Sequence, residues 1–271
     1  MRTSSARLPL MGEAATIYAE LLERAKADPE ILAFWLDGSR GKGRAGPGSD
    51  YDCTLIVADE AFAAYHEAFR RYGRPDIQCQ VMTMAGFEAY AAWGSDTAWA
   101  RYNFAHLKAE VDKTGQVQAL IEAKSKAPDE AVEGFIEDSI DHWINQVYRS
   151  LKCFRDGQAL AARLEAAEGV PPLLNALFAL HGGRLRPYAK YLEWELEEFP
   201  LEHLPWTPAA FLEKLGDILD TGDIAAQRDL IQGLAPIFRA AGYRAVLDSW
   251  DEAWPWLLGA VSAGQAPSQA A

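Results

Sequence analysis

The hydrophobic rhythm of the chain changes once, close to residue 126: short apolar runs separated by turns give way to positions that repeat at helical spacing. Before the change, Ile17, Leu21, Leu22 and Ala25 recur three or four apart, which predicts an amphipathic helix over Gly12 to Ala27. The run "ILAFWLD", Ile31 to Asp37, ends at a glycine and predicts one buried strand, and "DCTLIVA", Asp52 to Ala58, predicts a second. A helix over Glu60 to Tyr72 follows. In "RPDIQCQVMT" the apolar Ile77, Cys79 and Val81 alternate with Gln78 and Gln80, the pattern of a half-exposed strand. "AHLKAEVDKTG" reads as one further strand closed by a turn at Asp112 to Gly115.

From Asp129 onward the period is helical, with breaks expected at Gly169-Val170-Pro171-Pro172, at His181-Gly182-Gly183, between Pro200 and Pro208, and near Thr221-Gly222. The expected fold class is therefore α+β. A small mixed β-sheet domain with flanking helices is expected over residues 12–125, and an all-α helical bundle over 126–260. The segment 261–271 is small and polar, has nothing to bury, and is expected to be disordered. No internal repeat is visible.

Composition narrows the functional classes. With 271 residues, 49% of them apolar, and nine tryptophans, the chain has enough material for sizeable cores. A net charge of −13 argues against a nucleic-acid partner, because phosphate backbones are gripped by clustered Lys and Arg. It suits a cationic small molecule, or serves only solubility. Cys53, Cys79 and Cys153 form no CxxC pair and read as reduced core thiols. The apolar segment in "MRTSSARLPLMGEAA" is too short for a signal peptide, and no window reaches the roughly 18 apolar residues of a membrane span. A cytoplasmic protein without a membrane partner is the expectation, and the sequence leaves its oligomeric state open.

The chemistry concentrates between Phe34 and Val57, in "FWLDGSRGKGRAGPGSDYDCTLIV". Asp50 and Asp52 stand two apart at the start of a strand, so both side chains emerge on one face while Tyr51 turns to the other. Two like charges on one face are costly unless a cation lies between them, and hard carboxylate oxygens suit Mg²⁺. Gly38-Ser39 directly follows a strand, so backbone N–H groups and the Ser39 hydroxyl can approach a phosphate that a larger residue would block. Arg40, Lys42 and Arg44 add positive charge. A polar turn with an aspartate cap accounts for the glycines but not for the paired aspartates. Asp37, at the end of the first strand, reads as a solvated carboxylate.

Gly38-Ser39, ten intervening residues, then Asp50-x-Asp52 entering an apolar strand resembles the signature of the DNA polymerase beta-like nucleotidyltransferase superfamily, over roughly residues 30 to 85. The resemblance implies in-line attack of a hydroxyl on the α-phosphorus of a nucleoside triphosphate with release of pyrophosphate. It implies that Ser39 contacts the triphosphate, that Asp50 and Asp52 bind Mg²⁺, and that Asp76, in the place of the family's third carboxylate, completes the metal site or acts as general base. Gly38 and Arg40 join the nucleotide site.

The layout of sheet domain then helical bundle is also similar to that of the bacterial aminoglycoside nucleotidyltransferases, whose acceptor is held between two domains. "RPYAKYLEWELEEFP" loosely resembles a helix of the streptomycin/spectinomycin adenylyltransferases. The match falls on Trp194, with either Lys190 or Arg186 as the cation that reaches the triphosphate. That resemblance implies ATP or another nucleoside triphosphate as the donor, with AMP the group expected to move, and an acceptor that is a small molecule. Glu193, Glu197 and Glu198, together with Asp138 and Asp141 three apart, would suit a cationic acceptor, with a solvated helix face as the plain alternative for those acids. Trp143 reads as a core residue or as a platform for a sugar, and Trp250, Trp254 and Trp256 as core or subunit contact. The five histidines show no metal-binding spacing. Two alternatives remain. One is the same chemistry on a lincosamide, another metabolite or a protein hydroxyl. The other is a non-catalytic nucleotide-binding or toxin–antitoxin-type protein.

Overall fold

A computed structural model describes residues 13–70 and 74–260. The expectations for the leader region before Gly12 and for the tail 261–271 lie outside the described residues. The chain divides into two compact units, residues 1–127 and 128–271.

The first unit is built on a four-stranded mixed sheet. Its strands are β1 (Ile31–Leu36), β2 (Tyr51–Val57), β3 (Ile77–Met82) and β4 (Val111–Asp112), in spatial order β3-β2-β1-β4. β1 runs antiparallel to both β2 and β4, and β2 runs parallel to β3. Helices α1 (Ala14–Ala27) and α3 (Asp59–Arg70) cover one face, joining Ile17, Leu21, Tyr65 and Phe69 to Phe34, Cys53, Leu55, Val57, Ile77 and Val81. The opposite face buries Trp35, Ile56 and Met82 against Phe87 of α4 (Met84–Ala89), Phe104 and Ile121 of α5 (Val117–Lys124). Covering both faces explains why β2 reads as a continuous apolar run and not as an alternation.

The strand expected in "AHLKAEVDKTG" shrinks to the two residues of β4. Asp112 ends it: its carboxylate accepts from the N–H groups of Thr114, Gly115 and Gln118, bending the chain straight into α5. That demand also holds Asp112 ionised below the usual carboxylate range, against the opposing effect of burial.

The second unit is all helical: α6 (Asp129–Arg155), α7 (Ala159–Leu180), α8 (Leu192–Glu198), α9 (Pro208–Thr221), α10 (Ile224–Ala240), α11 (Arg244–Asp248) and α12 (Trp254–Leu257). The mixed sheet followed by helices bears out the α+β expectation. The break expected at Gly169-Val170-Pro171-Pro172 is absent. α7 runs through both prolines, because Gly169, Pro172 and Leu173 are buried and Gly169 lets α7 close on Gln146 and Trp143 of α6. Packing outweighs the two lost N–H donors. The real break falls at Gly157, which adopts φ +72° just past the end of α6. Trp143 is a core residue, and Trp250, Trp254 and Trp256 share its core. All three cysteines are free thiols, with Cys53 fully buried. No described helix is long and apolar enough to cross a membrane.

Candidate functional site

The site is assembled where β1 ends and β2 begins. After Leu36 the chain makes one helical turn, α2 (Gly38–Gly41), entered through Gly38 at φ +60°. Gly41 closes that turn against the strand: a Cβ there would sit 2.2 Å from the Leu36 carbonyl oxygen, so only glycine fits. The Gly41 N–H donates to the Asp37 carbonyl at 3.0 Å and the Arg44 N–H to that of Ser39 at 2.7 Å. Lys42 is buried, and its ammonium donates to the carbonyls of Tyr102, Asn103 and Ala105, tying the turn to the segment behind it. Such triple capping of carbonyls makes Lys42 a tether, where the sequence suggested a phosphate charge.

On the far side of the loop Ser49 is a hub. Its hydroxyl accepts from Ser39 Oγ and from the Gly46 N–H, both at 2.9 Å. Arg40 donates to the Ser49 carbonyl at 2.7 Å and to the Asp50 carbonyl at 3.0 Å, while its guanidinium lies 3.8 Å from the centre of the Tyr51 ring. In this arrangement Arg40 clamps the chain immediately before the aspartates.

Asp52 is the second residue of β2, and its carbonyl accepts from the Asp37 N–H at 2.8 Å. A Cβ on Gly38 would come within 3.1 Å of Asp52 Oδ2, so glycine lets the turn pass close against this carboxylate. Tyr51 packs on the other face, 5.2 Å from the Tyr18 ring. Asp50 is exposed, one residue before the strand.

Asp37 is not the solvated carboxylate the sequence suggested. It is half-buried, Oδ1 accepts from Trp35 Nε1 at 2.8 Å, and Oδ2 accepts from the Thr54 hydroxyl at 2.5 Å. Burial pushes its pKa up to about 6 and the negative charge of Asp52 adds to the rise, while both hydrogen bonds oppose it. Sequence periodicity missed this residue, although Trp35 and Asp37, two apart on one strand, carried the signal.

Asp76 stands just before β3, and its carbonyl accepts from the Tyr51 N–H at 3.0 Å, which sets it beside the start of β2. Its two carboxylate oxygens are held by Arg74, at 2.8 Å from Nε and 2.5 Å from Nη2. Those hydrogen bonds lower its pKa, so in this pairing Asp76 is a poor proton acceptor. Among the described residues no three His, Cys, Asp or Glu side chains gather into a group able to hold a metal. The structure thus brings Asp52, Gly38 and Asp37 together and leaves Asp76 engaged elsewhere. The donor chemistry at Asp50 and Asp52, hard oxygens with Asp37 as a like-charged neighbour of Asp52, fits a cation such as Mg²⁺, which takes one or two carboxylates and fills its shell with water and phosphate.

In the second unit, Lys190 is exposed with its ammonium 4.8 Å from the Tyr191 ring centre, and Arg186 donates to Asn175 at 3.1 Å. Trp194 is buried among Tyr191 and Phe199. Glu193, Glu197, Glu198, Asp138 and Asp141 are all exposed, and Asp141 accepts from Trp250 Nε1 at 2.8 Å.

No protein-family model and no curated protein matches the chain. Among solved structures it is similar to a nucleotidyltransferase-like protein from Exiguobacterium sibiricum 255-15, with 12% identity and a TM-score of 0.37 over 84% of this chain and 78% of that one.

Proposed function

We propose that the chain is a metal-dependent nucleotidyltransferase that moves a nucleoside monophosphate, AMP from ATP in the first instance, onto a hydroxyl of a small molecule. The observation that carries this reading is the meeting of the Gly38-Ser39 turn with Asp52 across two strand ends, where the glycine passes close against a carboxylate. Gly38 gives a phosphate room against the backbone, and Ser39, already oriented by Ser49, supplies a hydroxyl to it. Asp50 and Asp52 hold the magnesium ion, which when bound neutralises charge developing on the attacking and leaving oxygens. The chain itself chiefly positions the reactants. Asp76 joins the ligand set or takes the hydroxyl proton once Arg74 releases it. The surplus of acidic side chains in the chain favours an acceptor bearing amines, an aminoglycoside among them.

The test is a screen for pyrophosphate release with each nucleoside triphosphate and Mg²⁺ against streptomycin, spectinomycin, kanamycin, lincomycin and hydroxyl-bearing metabolites. Turnover with one acceptor, lost in Asp52→Asn, is the expected result. A second reading, a nucleotide-binding protein without catalysis, draws on one observation, the engagement of Asp76 by Arg74. It requires Mg²⁺-dependent nucleotide binding with no pyrophosphate from any acceptor.

A further inference from the structure

We propose that Asp37 is a positioning residue that fixes the strand end carrying Asp52 by accepting hydrogen bonds from two buried donors, with no ligand or base role of its own. The inference rests on the reading of Asp52 as a metal ligand. In the antiparallel register Leu36 faces Cys53 and Trp35 faces Thr54, so the next pair is Asp37 opposite Asp52. Residues so placed have Cβ atoms about 4.5–5.5 Å apart, and like charges directly opposite are destabilising. A carboxylate at this place therefore needs a compensating use.

The use lies in the donors. The indole N–H of Trp35 can only donate, and Trp35 is otherwise sealed in the core at 1% exposure. Thr54 is also buried, and it stands two residues from Asp52 on the same strand face. Asp37 Oδ1 satisfies the first and Oδ2 the second, while the Asp37 N–H holds the Asp52 carbonyl. The three bonds lock the ends of β1 and β2 at one spacing directly beside Gly38. Both carboxylate oxygens of Asp37 are committed to donors inside the protein, and Asp52 Oδ2 lies next to Gly38.

The hydrogen-bond inventory separates this role from one that needs charge. Asparagine keeps the geometry: its carbonyl accepts from Trp35, and its amide donates to the Thr54 oxygen, which can accept as well as donate. Alanine keeps neither bond. The experiment measures Mn²⁺ affinity of the full-length protein by electron paramagnetic resonance, together with turnover, in Asp37→Asn, Asp37→Ala, Thr54→Val and Asp52→Asn. Asp37→Asn is expected to stay within about threefold of the parent in both readouts, while Asp37→Ala loses roughly 10- to 100-fold in Mn²⁺ affinity or turnover, the range seen when outer partners of metal ligands are removed. Thr54→Val, which removes one bond and no charge, is expected to fall between them.

Equal losses in Asp37→Asn and Asp37→Ala would show that the charge matters and overturn the positioning role, and so would the absence of loss in Asp37→Ala. Circular dichroism separates an unfolded alanine variant from a displaced ligand, and Thr54→Val carries the test if alanine fails to fold. Asp52→Asn tells the two readings apart. If it leaves Mn²⁺ binding intact, the metal assignment and this inference fall together. If it abolishes binding while Asp37→Asn and Asp37→Ala behave alike, only the positioning role falls.

Discussion

Replacing glycines one at a time in the loop between β1 and β2 gives a graded test of how this site is built. At Gly41 an added Cβ would lie 2.2 Å from the Leu36 carbonyl oxygen, 2.8 Å from the Leu36 carbonyl carbon and 2.6 Å from Leu107 Cδ2. Ordinary van der Waals contact needs about 1 Å more, and two of the three atoms are backbone, so α2 must move off the end of β1. Overpacking of this kind costs about 1–3 kcal/mol, and loss of the Gly41 N–H bond to Asp37 adds about 1 kcal/mol. Gly41→Ala should therefore destabilise the first unit by roughly 2–4 kcal/mol. Gly43 has open space around it but adopts φ +68°, so Gly43→Ala should cost about 1–2 kcal/mol in backbone strain alone. Gly46 and Gly48 have neither constraint, and alanine there should be neutral or stabilising by about 0.4–1 kcal/mol through the unfolded chain. Because the chain has two units, denaturant unfolding should be paired with amide exchange in β1 and β2, where the loss is local. The exchange protection of Phe34 and Leu55 should fall in the order Gly46, Gly43, Gly41. Gly41→Ala indistinguishable from Gly46→Ala would refute the packing argument, and with it the placement of the Gly38-Ser39 turn.

Three further outcomes follow from the carboxylates. Asp37 titrates near 6 when folded against 3.8 when free, so the folded state binds its proton more tightly; the stability it contributes is fully present below about pH 3.8 and lost as pH rises through 6, and at pH 8 the ionised group costs about 2–3 kcal/mol. Thermal melts without metal should show Asp37→Asn more stable than the parent at pH 8 and level with it near pH 4, and a parent with no such pH difference refutes the burial of this group. Asp52→Asn should abolish Mg²⁺-dependent nucleotide binding while the metal-free melting temperature holds or rises, because a like-charged pair is relieved; equilibrium dialysis with a labelled triphosphate checks the first and calorimetry the second. Asp76→Asn should lower turnover by roughly 10²–10⁴-fold with little change in nucleotide affinity if Asp76 acts as base, whereas a parallel collapse of affinity would make it a ligand first.

Local information settles the parts of this protein that local physics controls. The apolar runs of β1 and β2, the alternation in β3, the helical period after Asp129 and the stop at Thr221-Gly222, where Gly222 adopts φ +68°, are all consequences of neighbours in sequence. The strand-turn-strand that carries Gly38, Ser39, Asp50 and Asp52 was legible for the same reason, since it is written within nineteen consecutive positions, counting from Leu36 to Thr54. What the sequence could not state was which long-range partner each polar group would meet. Asp37 acquires Thr54, seventeen residues away, and becomes an acceptor for buried donors; Lys42 meets carbonyls sixty residues on and becomes a tether. Arg40 turns back to clamp Ser49 and Asp50, and Arg74 occupies Asp76. Pro171 and Pro172 stay inside α7 because burial against α6 outweighs their propensity, while the shorter-range demand of Asp112 cuts β4 to two residues. Periodicity reports which face a side chain takes, whereas the hydrogen bond that fixes its protonation and its role depends on what the fold brings opposite, and that is decided only by tertiary structure.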